Sequence, residues 1–146
     1  MGALDGRTAL VTGAGRGIGA AIAEGLAAEG ALVRVSDAGV GVDGSGHDAG
    51  PAEAVVTAIN ERGGKAFPDA TDITDFAACA DLIARAADTL GGLDVVVNAA
   101  GILRDGMVFK MGEQDWDAVV AVHLKGTFNV TRHAAGWWRE NRGGQY

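Results

Sequence analysis

The run Leu10-Val11-Thr12-Gly13-Ala14-Gly15-Arg16-Gly17-Ile18-Gly19 constrains the fold more than any other part of the chain. An apolar strand leads straight into a glycine-dense turn, and the turn opens a helix whose apolar positions include Ile18, Ile22 and Leu26. Glycines let the backbone come close to a phosphate, and a helix start offers free N–H groups at the positive end of the helix dipole. The next apolar run, Leu32 to Ser36, ends at Asp37. A carboxylate there accepts hydrogen bonds from the hydroxyls of an adenosine ribose and repels a 2′-phosphate. Strand, glycine turn, helix, strand and acid in that order point to a bound dinucleotide, NAD in preference to NADP.

The glycines fit two registers, Thr12-Gly-x-x-x-Gly17-x-Gly19 and Gly15-x-Gly17-x-x-Ala20, and the pattern alone does not choose between them. Arg16 is either solvated or laid against a phosphate. Asp37 has a plainer alternative as the end of a strand.

Strand-like and helix-like segments alternate along all 146 residues, as in a parallel sheet with helices on both faces. The expected strands are Thr8 to Val11, Leu32 to Ser36, Lys65 to Phe67 and Leu93 to Asn98. The expected helices run from Gly17 to about Glu29, from Pro51 to about Arg62, from Thr74 to Leu90, and from about Glu113 to Glu140. The first two are stopped by Gly30 and Gly63-Gly64, and the third by Gly91-Gly92. Val55, Val56 and Ile59 should be buried on the second helix. A stripe of Phe76, Cys79, Ile83, Ala87 and Leu90 should be buried on the third. On the long helix the apolar positions are Trp116, Val119, Val120, Leu124, Phe128 and Val130. Residues 38–50 lack an apolar period and read as a loop.

Other residues fall where a ligand would lie. Asp72 follows the third strand, in place to meet an adenine amino group with Ile73 against the ring; its alternative is a helix cap, which Thr74 could also supply. Asn98-Ala99-Ala100-Gly101 ends the fourth strand, where small residues let a cofactor pass close to the backbone. Asn98 has a plainer alternative there, bonding backbone groups at a strand-ending turn. His123 shares a side of its helix with Trp116, Val120 and Thr127, the usual setting of a satisfied, partly buried histidine. Trp137-Trp138 suits packing or a subunit contact. His47 and His133 have no companion ligands at useful spacing, so no metal site is expected.

Composition narrows the classes. A net charge of −7 opposes nonspecific nucleic-acid binding. The single cysteine, Cys79, excludes an intrachain disulfide and reads as a buried, inert thiol. No apolar run approaches about 18 residues, and the start lacks a basic-then-apolar segment. A cytoplasmic protein is expected, with no membrane partner.

Together, Thr12-Gly-x-x-x-Gly17-x-Gly19, Asp37, Asp72 and Asn98-Ala-Ala-Gly101 resemble the cofactor half of the classical short-chain dehydrogenase/reductase family. The loop after Asp37, Gly101-Ile-Leu-Arg-Asp105 and Val122-His-Leu-Lys-Gly126-Thr127-Phe128 are more specifically similar to the (3R)-hydroxyacyl-CoA dehydrogenase units of multifunctional β-oxidation enzymes. The resemblance implies a Rossmann-type, doubly wound, three-layer α/β/α domain over residues 1–146, incomplete at its C-terminal end. It implies a cofactor set of Gly13, Arg16, Gly17, Ile18, Gly19, Asp37, Asp72, Ile73, Asn98, Ala99, Ala100, Gly101 and Val122. It also implies hydride transfer between nicotinamide and a secondary alcohol or ketone, a 3-hydroxyacyl thioester in the narrower reading, and a homodimer or homotetramer. His123 stands where the family usually has a catalytic-site asparagine. The family's serine and Tyr-x-x-x-Lys would lie beyond Tyr146, which reads as a truncation point, so residues 1–146 alone are expected to be inactive. The rival readings are a non-catalytic nucleotide-binding module and an NADP-dependent ketone reductase.

Overall fold

The computed structural model describes residues 2–141, so the reading of Tyr146 lies outside the described residues. Four parallel strands form one sheet: β1 (Thr8–Thr12), β2 (Leu32–Ser36), β3 (Lys65–Asp69) and β4 (Val95–Asn98). Their order is β3-β2-β1-β4. Thr8 pairs with Leu32 at one end of the β1–β2 ladder, and Thr12 pairs with both Ser36 and Asn98 at the other. The chain winds outward from β1 to β3 and then crosses to the far side of β1. The switch in direction therefore falls between β1 and β4, and in open α/β sheets ligands lie outside the strand ends at that point.

Side chains alternate across a strand, so β1 feeds two cores. Val11 joins Val33, Val35, Val55, Val56 and Ile59 under α1 (Gly17–Ala28) and α2 (Gly50–Glu61). Leu10 joins Leu82, Ile83, Leu93 and Val130 under α3 (Phe76–Leu90) and α5 (Thr127–Asn141). Each fully buried leucine or valine contributes about 2 kcal/mol by leaving water. Val55, Val56 and Ile59 are buried as expected. Trp137 and Trp138 pack on the second core, and the Trp138 indole N–H donates to the Leu93 carbonyl at 2.7 Å.

Several boundaries differ from the sequence reading. β3 continues through Pro68 to Asp69; an edge strand tolerates the missing N–H. α3 starts at Phe76 because Asp75 is its cap, accepting from the Ala78 N–H at 2.9 Å. Asp72 instead folds a turn, accepting from the Thr74 N–H and hydroxyl. Phe76 is exposed, not buried with the rest of its stripe.

The long helix is not uniform. α4 (Glu113–Val120) passes into a π-helical stretch at Ala121–Gly126, which passes into α5. Trp116, Leu124 and Phe128 were expected on its apolar face. They are 66%, 69% and 58% exposed, while Val130 is fully buried. Among the described residues, no helix is long and apolar enough to cross a membrane.

Candidate functional site

A cleft of about 560 Å³ opens at the switch point, over the C-terminal ends of β1 and β4. Its floor is a close approach of two chain segments. Gly13 has φ +62°, and a Cβ there would collide with the backbone of Ala99 and Ala100. Gly17 has φ +54° as the chain turns into α1. Gly19 has no room for a side chain against the Gly13 carbonyl. No side chain caps α1, whose first turn with Ile18 lines the cleft. Gly13, Gly17 and Gly19 thus each have their own steric reason, and Gly15, which opens the other register, has one too, since a Cβ there would stand 2.8 Å from Asp37 Oδ2.

Asp37 ties two parts of the rim together. One carboxylate oxygen accepts from the Gly15 N–H and the other from the Gly39 N–H, both at 2.8 Å. Arg16 faces the same rim and donates to the Val40 carbonyl at 3.3 Å. At the other end of the cleft stand Asp72 and Ile73. The two bonds from Thr74 fall on a single oxygen of Asp72. The Ile73 carbonyl accepts from the buried Asn129 amide at 2.8 Å and from the Cys79 thiol at 3.4 Å. Burial among apolar groups pushes the Cys79 thiol up to about 11, with Asp75 and Asp72 adding smaller effects of the same sign. Gly126, in the π stretch, leaves room for the Ile73 side chain; a Cβ there would stand 2.5 Å from Ile73 Cδ1.

Ala99, Ala100, Gly101 and Val122 complete the cleft. Two candidates lie outside its lining. The Asn98 amide donates to the Thr131 hydroxyl at 3.2 Å and joins β4 to α5. His123 Nε2 lies 2.9 Å from the Ile102 carbonyl oxygen and 3.2 Å from its N–H nitrogen. The tautomer decides whether it donates or accepts. Gly101 has no side chain beneath that ring, since a Cβ would meet His123 Cε1 at 2.6 Å. The histidine is satisfied by backbone, as its sequence setting suggests.

Sequence reasoning missed the outer rim. Val40, Gly41, Val42 and Gly44 line the cleft, as do Ile102 and Arg104. The signals were the turn chemistry of the Asp- and Gly-rich loop and the resemblance carried by that loop and by Gly101-Ile-Leu-Arg-Asp105, neither of which says what these residues face. Among the described residues, no group of three or more His, Cys, Asp or Glu could hold a metal ion.

A parallel sheet with its cleft at the switch point, glycines without room for side chains and a carboxylate at the end of β2 define a nucleotide-binding α/β protein. The family model for short chain dehydrogenases matches residues 7–145, and the chain belongs to that family. The hydroxyacyl-CoA dehydrogenase ChsB1 of Mycobacterium tuberculosis is 47% identical over 94% of this chain and 42% of its own length. The peroxisomal multifunctional enzyme type 2 of Mus musculus is 46% identical over 89% of this chain and 17% of its own length. Among solved structures, a short chain dehydrogenase from Mycobacterium avium has 50% identity and a TM-score of 0.88, over 99% of this chain and half of its own. One from Burkholderia cenocepacia, in complex with NADP, has 38% identity and a TM-score of 0.81, over 92% of this chain and 51% of its own. The chain thus spans about half or less of the length of these proteins. The first two of these relatives agree with the hydroxyacyl-CoA dehydrogenase resemblance in the sequence.

Proposed function

We propose that the protein carrying this chain is an NAD-dependent oxidoreductase, and that residues 1–146 form its cofactor-binding domain. The reaction is hydride transfer between nicotinamide and a secondary alcohol or ketone, with 3-hydroxyacyl thioesters as the substrate class. The bound dinucleotide supplies a ring carbon that accepts or releases hydride. This chain's residues bind and orient it. Gly13, Gly17, Ile18 and Gly19 take the pyrophosphate against the start of α1, and Arg16 stands beside it. Asp37 takes the ribose hydroxyls, Asp72 and Ile73 the adenine. Ala99, Ala100, Gly101 and Val122 leave a path for the nicotinamide end, and Asn98 supports that path from behind through Thr131.

One observation carries the choice of cofactor. The Asp37 carboxylate lines the cleft and is fixed by two backbone N–H groups. A 2′-phosphate would meet a like charge there. The NADP of the Burkholderia protein belongs to that protein. The test is titration of the full-length protein with both dinucleotides. NAD is expected to bind at least tenfold more tightly, a difference of about 1.4 kcal/mol. Asp37→Ala should weaken NAD binding, and Asp37→Arg should shift preference toward NADP. Equal affinity in the unmodified protein would overturn the assignment.

Residues 1–146 hold no Tyr-x-x-x-Lys pair. Residues 1–146 made alone are therefore expected to give no turnover with 3-hydroxyacyl thioesters. Exposed Trp116, Leu124 and Phe128 on the long helix favour a homodimer or homotetramer through that face.

A further inference from the structure

The outer rim of the cleft is made by two segments without regular structure, and they are tied to each other. Residues 38–49 fold on themselves: the Asp48 N–H donates to the Gly39 carbonyl at 2.7 Å, and the Gly41 N–H to the Ser45 carbonyl at 2.6 Å. These bonds close the base and shape of the loop, but they do not hold its tip against the body of the protein. Among the described residues, the tip is held by the chain leaving β4. The Leu103 N–H donates to the Val42 carbonyl at 2.8 Å, and Arg104 Nε donates to the Asp43 carbonyl at 2.7 Å. Ile102 packs against Gly44, where a Cβ would stand 3.0 Å from its Cδ1.

Arg104 is itself anchored from behind. Its Nη1 donates to Asp115 Oδ1 at 3.1 Å, in the first turn of α4. The other oxygen of Asp115 accepts from the Gly112 N–H at 3.2 Å. A guanidinium presents donors in a rigid fork, so one side chain bridges a loop carbonyl and a helix carboxylate. Arg104 also forms the wall between the cleft and a neighbouring cavity of about 300 Å³ that contains Asp43, Met107 and Asp115. Its loss would leave the tip tied only by the Leu103–Val42 backbone bond and the Ile102 contact.

We infer that Arg104 is a positioning residue for cofactor retention: it latches the tip of the 38–49 loop to α4, and the parting of that latch sets how fast a bound dinucleotide leaves. This rests on the dinucleotide reading of the cleft. A loop this rich in glycine has much conformational freedom to lose, so an anchor at its tip decides how often it is closed. The latch is not expected to govern entry to the same degree, because affinity changes of this kind fall mostly on dissociation.

The test uses the full-length protein in two measurements. Amide hydrogen exchange without cofactor should show residues 40–45 exchanging faster in Arg104→Met than in the unmodified protein, with β1 unchanged. Stopped-flow displacement of NADH should show its dissociation rate raised about tenfold, the worth of one charge-assisted hydrogen bond, with the association rate within about twofold. Arg104→Lys, which keeps the charge but not the fork, should fall between. Should Arg104→Met fail to fold, Asp115→Asn, which retains an acceptor for Gly112, is expected to raise dissociation about threefold. An unchanged dissociation rate in these variants overturns the latch, whether or not exchange quickens. An unmodified protein that binds neither dinucleotide overturns the reading of the cleft instead, and the latch with it.

Discussion

The cleft has two walls built on different principles. The inner wall is made by β1, the glycine turn and the end of β4. Leu10, Val11 and Thr12 have no solvent exposure, and the strand is paired on both sides. Gly13 then brings that strand against the Ala100 backbone with no slack for a single carbon. The outer wall is a loop and a strand exit joined by two backbone carbonyls and one arginine. The first wall derives its precision from the sheet and has no alternative arrangement. The second is ordered by a few polar ties, each of modest net strength in water. A surface that fixes a ligand's position suits the first construction, and a surface that must admit and release it suits the second.

The largest expected effect breaks the inner wall. Gly13→Val places a branched side chain at φ +62° and drives it into Ala100. The loss should be about 3 kcal/mol or more, read by urea unfolding of the full-length protein, with dinucleotide binding abolished. A variant of unmodified stability would show that the inner wall yields as readily as the outer one.

A smaller effect belongs to the adenine end. Gly126→Ala presses on Ile73, whose side chain has some freedom to move. About 1–2 kcal/mol of stability should be lost, with dinucleotide affinity falling several-fold in a titration.

The smallest effect concerns the support behind Ile73. Cys79 stays protonated in the fold well above the ordinary thiol range, up to about 11. In the unfolded chain the proton leaves earlier, so rising pH favours unfolding between those two values. Stability should therefore decline as pH climbs from the ordinary thiol range toward 11, and Cys79→Ala should show a shallower decline. Identical pH profiles would mean the thiol is not held as the structure places it.

The same contrast explains what the sequence disclosed. Glycine spacing, strand alternation and the acid after β2 are local consequences of backbone geometry, so the inner wall and Asp37 were readable from adjacent residues. The outer wall joins Asp43 to Arg104, far apart in sequence, and follows no period. Asn98 was placed at the cleft from its position at a strand end; its amide bond to the Thr131 hydroxyl joins residues far apart in sequence and was not readable from its neighbours. Trp116, Leu124 and Phe128 were readable as apolar positions of one long helix, but not as exposed ones, and the π stretch between α4 and α5 leaves no mark in apolar periodicity.

That π stretch also affects how the chain can change in length. A π turn absorbs an additional residue within an otherwise α-helical run, so the helices on either side keep the faces they would have had without it. Deleting a residue from α5 would rotate everything beyond it by about 100°, carrying Val130 and Ala134 out of the core if the cut preceded them. Deleting exposed Leu124 instead would use up the surplus and leave both flanking faces in place. The long helix can therefore lose a residue at this point and stay packed. What it would give up is local: His123 would lose its grip on Ile102, and Gly126 its place beside Ile73.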